Sequence, residues 1–187
     1  AKPLPAVFGA TPPRTNNAEL QTRGWEVEAS WRDRTGKDFS YNITATLSDY
    51  ESMVTRYDSP DGALAGYFPG KKLGEIWGYQ VEGIAKNDLE MNNWLRNHSQ
   101  SALGKNWGGG DLMYKDLDNN GSVNNGGNTI TDKGDLTVIG NGTPRYAFGL
   151  NLGASWKFIQ ISLFFQGIGK RDVFFNKIAS RKNNLPL

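Results

Sequence analysis

The chain has 187 residues, 37% hydrophobic and 21% charged, with 21 Lys plus Arg against 19 Asp plus Glu. That length suits one ordinary domain core, and so even a charge balance, with no basic cluster interleaved with aromatics, speaks against nucleic acid as a partner. Zero cysteines removes disulfide frameworks, thiolate zinc sites and cysteine nucleophiles, and no apolar run reaches the ~18 residues of a membrane-spanning helix, which a barrel of half-polar strands does not need.

Residues 1–23, with Pro3, Pro5, Pro12 and Pro13, read as a leader or loop. From Trp25 the chain alternates with a period of two: Trp25, Val27, Ala29 and Trp31 against Glu26, Glu28, Ser30 and Arg32. Phe39, Tyr41, Ile43, Ala45 and Leu47 then alternate with Ser40, Asn42, Thr44, Thr46 and Ser48. This pattern predicts strands over 24–34 and 38–54, joined by a tight turn at Thr35, Gly36 and Lys37. A second hairpin is predicted over 144–157 and 158–173, turning at Lys157–Phe158. Its strands set Tyr146, Phe148, Leu150, Leu152, Ala154 and Trp156, and then Ile159, Ile161, Leu163 and Phe165, on one face. Residues 174–187 would begin the next loop.

Between the hairpins, 55–143 is far longer than the ~12–15 residues of a structureless loop and must carry structure of its own. Within it Trp77, Tyr79 and Val81 read as a strand or rim segment. Helix is expected to be a minor component.

One buried and one wet face give the same alternation in a soluble β-sandwich. Placement of the aromatics favours lipid: Trp25 and Trp31 bracket the first strand and Tyr146 and Trp156 the third, as at the two water–lipid interfaces of a barrel. Each alternating stretch also matches the ~9–11 residues that a tilted strand needs to cross a bilayer. The expected fold is therefore all-β, with antiparallel hairpins forming part of a large transmembrane β-barrel and one long external loop. Four spanning strands are too few to close a barrel, which starts at about eight, so a fragment of a longer barrel is expected. Short turns on the periplasmic side would place 55–143 outside the cell.

One stretch has the spacing of metal chemistry. Asp116, Asp118, Asn120 and Ser122 place oxygen side chains at alternate positions around Gly121, as a calcium loop does. The acidic twelfth position is missing, since Gly127 stands there, and Asp132 or Asp135 is positioned in sequence to return a carboxylate. Calcium or another hard cation is the expected cofactor, with a role in pinning the loop; the alternative is a solvated Asn/Gly turn. The aromatics Tyr67, Phe68, Trp77, Tyr79, Trp94 and Trp107 suit either a platform for sugar rings or peptide side chains or a mini-core that orders the loop. Trp77, Tyr79, Trp94 and Trp107 are the candidate substrate contacts.

No enzymatic site assembles. His98 is the single histidine, in a polar stretch that reads as surface; the Gly167–Lys170 string lacks the first glycine of a P-loop; and Glu26 with Glu28 reads as lumen lining rather than a glycosidase pair.

Gly24-Trp25-Glu26, the segment Gly74 to Ile84, Gly110 to Asp116, and Val138-Ile139-Gly140-Asn141 with Pro144-Arg145-Tyr146 together resemble the SusC/RagA family of TonB-dependent outer-membrane transporters of Bacteroidetes. The resemblance implies a 22-stranded parent barrel with an N-terminal plug, located in the outer membrane. It also implies a SusD-like surface lipoprotein partner and TonB-driven import of glycans or peptides. The contrasting expectation is a soluble carbohydrate-binding or cell-surface β-sandwich.

Overall fold

The computed structural model describes residues 18–59 and 61–174; the expected leader up to residue 17 and the expected loop from 175 lie outside them. The chain is mostly β-strand in antiparallel sheets and divides into two compact units, one built on 22–52 with 141–174 and the other on 53–140 with 18–21.

The first unit is a four-stranded sheet of β1 (Ala18–Thr35), β2 (Phe39–Tyr57), β7 (Arg145–Trp156) and β8 (Ile159–Lys170), in the order β1-β2-β7-β8. It is open at β1 and β8 and forms no closed barrel. Both turns fall where the sequence placed them. Gly36 (φ 69°) supplies the left-handed residue of the first turn, and Lys157 (φ 53°) adopts it in the second, where a two-residue antiparallel connection requires positive φ.

Register aligns the apolar residues across the sheet. Ile43 pairs with Leu152 and Leu152 with Leu163, Ala45 with Leu150 and Leu150 with Phe165, and Tyr41 with Ala154 and Ala154 with Ile161. The other face repeats the pattern in polar residues, with Asn42 against Gly153 and Thr44 against Asn151. β1 joins on the same terms: Ser30 Oγ lies 2.9 Å from Thr44 Oγ1 and Thr22 Oγ 2.8 Å from Ser52 Oγ, so hydroxyls share the polar face and Val27 and Ala29 fall on the other. Glycines at 149 and 153 make room for Thr46 and Asn42; a Cβ at Gly153 would lie 2.3 Å from Asn42 Oδ1.

The apolar face covers no core. Val27 is 56% exposed, Ile161 54% and Leu163 48%. The buried apolar side chains among the described residues are Val54, Leu64, Phe68, Ala85, Met91, Met113 and Val123, all in the second unit. Among the described residues the apolar strand faces do not meet each other as a sandwich requires.

The strands of the first hairpin run longer than alternation predicts: β1 starts at Ala18 rather than near 24, and β2 ends at Tyr57 rather than near 54. Beyond the apolar band the ladder continues on polar pairs such as Glu19–Arg56, 2.6 Å apart, where no apolar/polar alternation marks a strand. At that end of the band Asp49, only 7% exposed, accepts from Arg145 Nε and Nη2, each at 2.5 Å, and Glu51 accepts from Arg145 Nη1 at 3.3 Å. Tyr146, at φ 55°, turns its amide to Asp49 Oδ1 at 3.3 Å.

The second unit carries β3 (Glu75–Tyr79), β4 (Val81–Ile84), α1 (Asp88–Leu95), β5 (Leu112–Tyr114) and β6 (Leu136–Asn141). β3 pairs with β6, and β4 with β5. The segment around Trp77 is thus two short strands broken at Gln80. The helix begins at Asn87, whose Oδ1 accepts from Glu90 N at 2.9 Å while Glu90 Oε2 accepts from Lys86 N at 2.7 Å, a reciprocal cap that satisfies amides with no intrahelical partner. Ala85, Met91 and Met113 form its core with Trp94, Leu95 and Trp107 packed around them.

Candidate functional site

The Asp116–Ser122 segment curls as its spacing predicts. Asp116 accepts from Asn120 N at 3.2 Å and from Gly121 N at 2.6 Å, Asp118 accepts from Asn120 N at 3.1 Å, and Asn120 Oδ1 accepts from Ser122 N at 2.8 Å. Asn119 (φ 58°) and Gly121 (φ 85°) make the left-handed steps that close the curl. Val123, fully buried, anchors its end by donating to Ser99 O at 2.7 Å.

Asp135 is the carboxylate that returns. It is fully buried, accepts from Leu117 N at 2.6 Å and Asn124 N at 2.8 Å, and stands with Asp116 and Asp118 so that one carboxylate oxygen from each lies within 4.8 Å of the others. Asp132 is not brought to them. Its carboxylate accepts from Gly127 N at 2.8 Å and its own amide donates to Thr129 Oγ1 at 3.1 Å, so it organises the neighbouring turn. Asn120 and Ser122 stay in the curl, with Asn120 Nδ2 donating to Asp118 Oδ2 at 2.9 Å.

Three carboxylates so close repel, and the protein answers with amide dipoles. Burial opposes the charge at Asp116, yet the Gly121 and Asn120 amides hold its carboxyl below the usual value. At Asp118, desolvation together with the neighbouring Asp116 and Asp135 charges outweighs the Asn120 amide and pushes the carboxyl up. Tyr79 stands close enough to be affected: burial first, then the Asp135 charge, raises its phenol. All donors are oxygens, which suits a hard cation such as calcium rather than zinc. The residues present fit such an ion chemically.

The aromatic candidates divide by surroundings. Trp77 stands edge-on to buried Phe68, ring centroids 6.4 Å apart, and donates to Glu75 Oε2 at 3.1 Å. Tyr79 and Trp107 both pack on Tyr114, at 5.6 and 6.3 Å. Trp94 stacks on His98, centroids 4.0 Å apart at 13°, beside an open cavity of about 380 Å³ lined by Glu90, Asn93, Asn97 and Met113 as well.

His98, expected at the surface, is held in this stack with Nδ1 3.2 Å from Trp94 O. Gln100 escaped the sequence reading altogether. Fully buried, it accepts from Trp94 Nε1 at 3.3 Å and Tyr114 N at 2.8 Å and donates to Leu112 O at 3.1 Å, tying the helix to β5. A glutamine in a polar stretch carries no signal of burial.

The chain is similar to two receptors of Formosa agariphila. It is 26% identical to TonB-dependent receptor P3 over 182 residues, covering 88% of this chain, and 24% identical to TonB-dependent receptor P39 over 179 residues, covering 80%. It spans only 16% and 17% of the length of these relatives. No protein-family model matches the chain.

Proposed function

We propose that the chain is a segment of a TonB-dependent outer-membrane receptor of the SusC/RagA type, a transporter and not an enzyme, importing glycans or peptides. One observation carries the reading: a register-aligned apolar face, exposed across the sheet and ending in aromatic rows, in a chain whose buried core lies elsewhere. From Phe39 to Leu47 the strand covers roughly 26 Å at about 3.3 Å per residue. A tilt near 40° projects this to about 20 Å, and the terminal rings bring it close to the ~25 Å apolar band of such barrels. The distant likeness to TonB-dependent receptors over most of the chain points the same way.

In this reading the face made by Val27, Ile43, Leu152 and Leu163 meets membrane lipid, and the hydroxyl and amide face lines the lumen. The tight turns are periplasmic, and 55–143 is an external loop. TonB and a SusD-like lipoprotein are the partners of the whole receptor. Asp116, Asp118 and Asp135 hold a calcium ion that pins the loop, with further oxygens from the Asn120–Ser122 curl. Trp94, beside its cavity, is the foremost substrate contact; Trp77, Tyr79 and Trp107 shape the surface around it.

Sidedness tests the proposal. In the whole receptor on intact cells, a membrane-impermeant maleimide should label Lys133→Cys and leave Gly36→Cys untouched until the outer membrane is permeabilised. Labelling of both in a fraction that needs no detergent for extraction would overturn it.

A further inference from the structure

At the tight-turn end the apolar face stops in a row of rings: Phe39 pairs with Trp156, Trp156 pairs with Ile159, and Phe158 at the turn tip is 92% exposed. Immediately beyond stand Arg34, Lys37 and Lys157 against Asp33 and Asp38, a positive excess of one, while Arg32 lies on the polar face with Ser30. The two turns are bound side by side. Lys157 N donates to Asp38 O at 3.0 Å, and Arg34 Nη2 donates to Lys37 O at 2.5 Å. The Lys157 ammonium lies 5.2 Å from the centre of the Trp156 ring. Among the described residues neither the Lys37 nor the Lys157 ammonium is paired with a carboxylate. At the opposite end of the band the cation is paired within the protein, Arg145 against Asp49 and Glu51.

We propose that this rim is a binding surface for anionic phospholipid headgroups, with Lys37 and Lys157 contacting their phosphates. The inference rests on the reading of the sheet as a lipid-facing wall and adds the leaflet chemistry at one edge. Rings such as Trp156 settle at headgroup depth, and a lysine stem lying along such a ring carries its ammonium just past the apolar boundary, where the phosphates are. Two ammonium groups without protein counter-ions, fixed on hydrogen-bonded turns, complement negative headgroups rather than neutral ones.

The test follows partition of the whole receptor into vesicles of phosphatidylcholine with brominated acyl chains, with and without equimolar phosphatidylglycerol, read by quenching of its tryptophans. Each lysine near an anionic surface is worth about fivefold in binding. Lys37→Gln/Lys157→Gln should therefore weaken partition into the anionic vesicles by roughly twenty- to thirtyfold, leave the neutral vesicles unaffected, and lose the difference at high salt. Lys105→Gln/Lys133→Gln, which removes the same charge from the connector, should change little. Equal losses in the two double variants, or quenching equal in both vesicle types for every form, would overturn the headgroup proposal while leaving the lipid-facing wall intact. Absence of quenching in all vesicles would overturn both.

Discussion

Leu152 lies near the middle of the apolar band, between Trp156 and Phe148 on β7, with Ile43 on one side and Leu163 on the other. It is roughly 13 Å along the strand from either ring at about 3.3 Å per residue, so in a bilayer it sits close to the midplane. There an arginine costs about 2–4 kcal/mol, a factor of roughly 30 to 1,000 in the folding equilibrium. Asn151, its neighbour, faces the other way and pairs with Thr44 and Phe164 on the polar side, where an arginine reaches water. Leu152→Arg should thus lower the midpoint of urea-dependent folding of the receptor into phosphatidylcholine vesicles, while Asn151→Arg leaves it nearly unchanged. Were the apolar face wetted in the working protein, Leu152→Arg would be an ordinary surface change, within about 0.5 kcal/mol. Equal midpoints for the two variants would refute the assignment of faces.

Calcium titrated by calorimetry into the wild-type chain should give heat that the Asp116→Ala/Asp118→Ala variant lacks; equal heats in both, or none in either, would leave a polar turn and no site. Without the ion, the two carboxylates have opposite pH signatures. The folded-state value of Asp118 is raised above 3.8, so the loop gains stability as pH falls into the window just above that value; Asp116 is depressed, and its contribution is present above 3.8 and lost as pH falls through its lower folded value. Protection factors of the Leu117 and Asn124 amides, taken relative to the intrinsic exchange rate at each pH, should accordingly rise on moderate acidification and fall on stronger acidification, and saturating calcium should abolish the first effect; a monotonic fall in the metal-free chain would contradict the assignment. Asn87→Ala removes the cap of α1 and should cost about 1 kcal/mol, read as faster exchange of the Glu90 and Met91 amides with the sheet amides unchanged.

How far the sequence discloses this architecture depends on where the apolar side chains go. In the sheet, each step of two along Phe39 to Leu47 or Tyr146 to Trp156 returns to the same face, so period and register are written residue by residue, and the turns at Gly36 and Lys157 follow. Where the band ends, Glu19, Thr22, Ser52 and Arg56 sustain the ladder through polar pairs, and the period carries no hydrophobic signal to extend the prediction. The Asp116–Ser122 curl was legible because local spacing suffices to build it. Which distant acid completes it was not, since Asp132 and Asp135 are three residues apart and only the fold of 124–135 sends one inward and the other to the Gly126–Gly127 turn.

The two units invert each other's solvent logic, and the inversion is what ties the sequence pattern to a function. In the connector, Met91, Met113 and Val123 are withdrawn from water and Gln100 satisfies the polar groups enclosed with them, as in any protein that folds in water. In the sheet, leucines, isoleucines and tryptophans of comparable size stand outward in contiguous rows, while hydroxyls and amides occupy the other face. A contiguous apolar surface seldom stays open to water and calls for an apolar covering, which the proposed reading supplies as lipid. A water-type core in the connector and an outward apolar face on the strands are what the proposed lipid-facing wall requires of this sequence, and a soluble domain would have no use for the second.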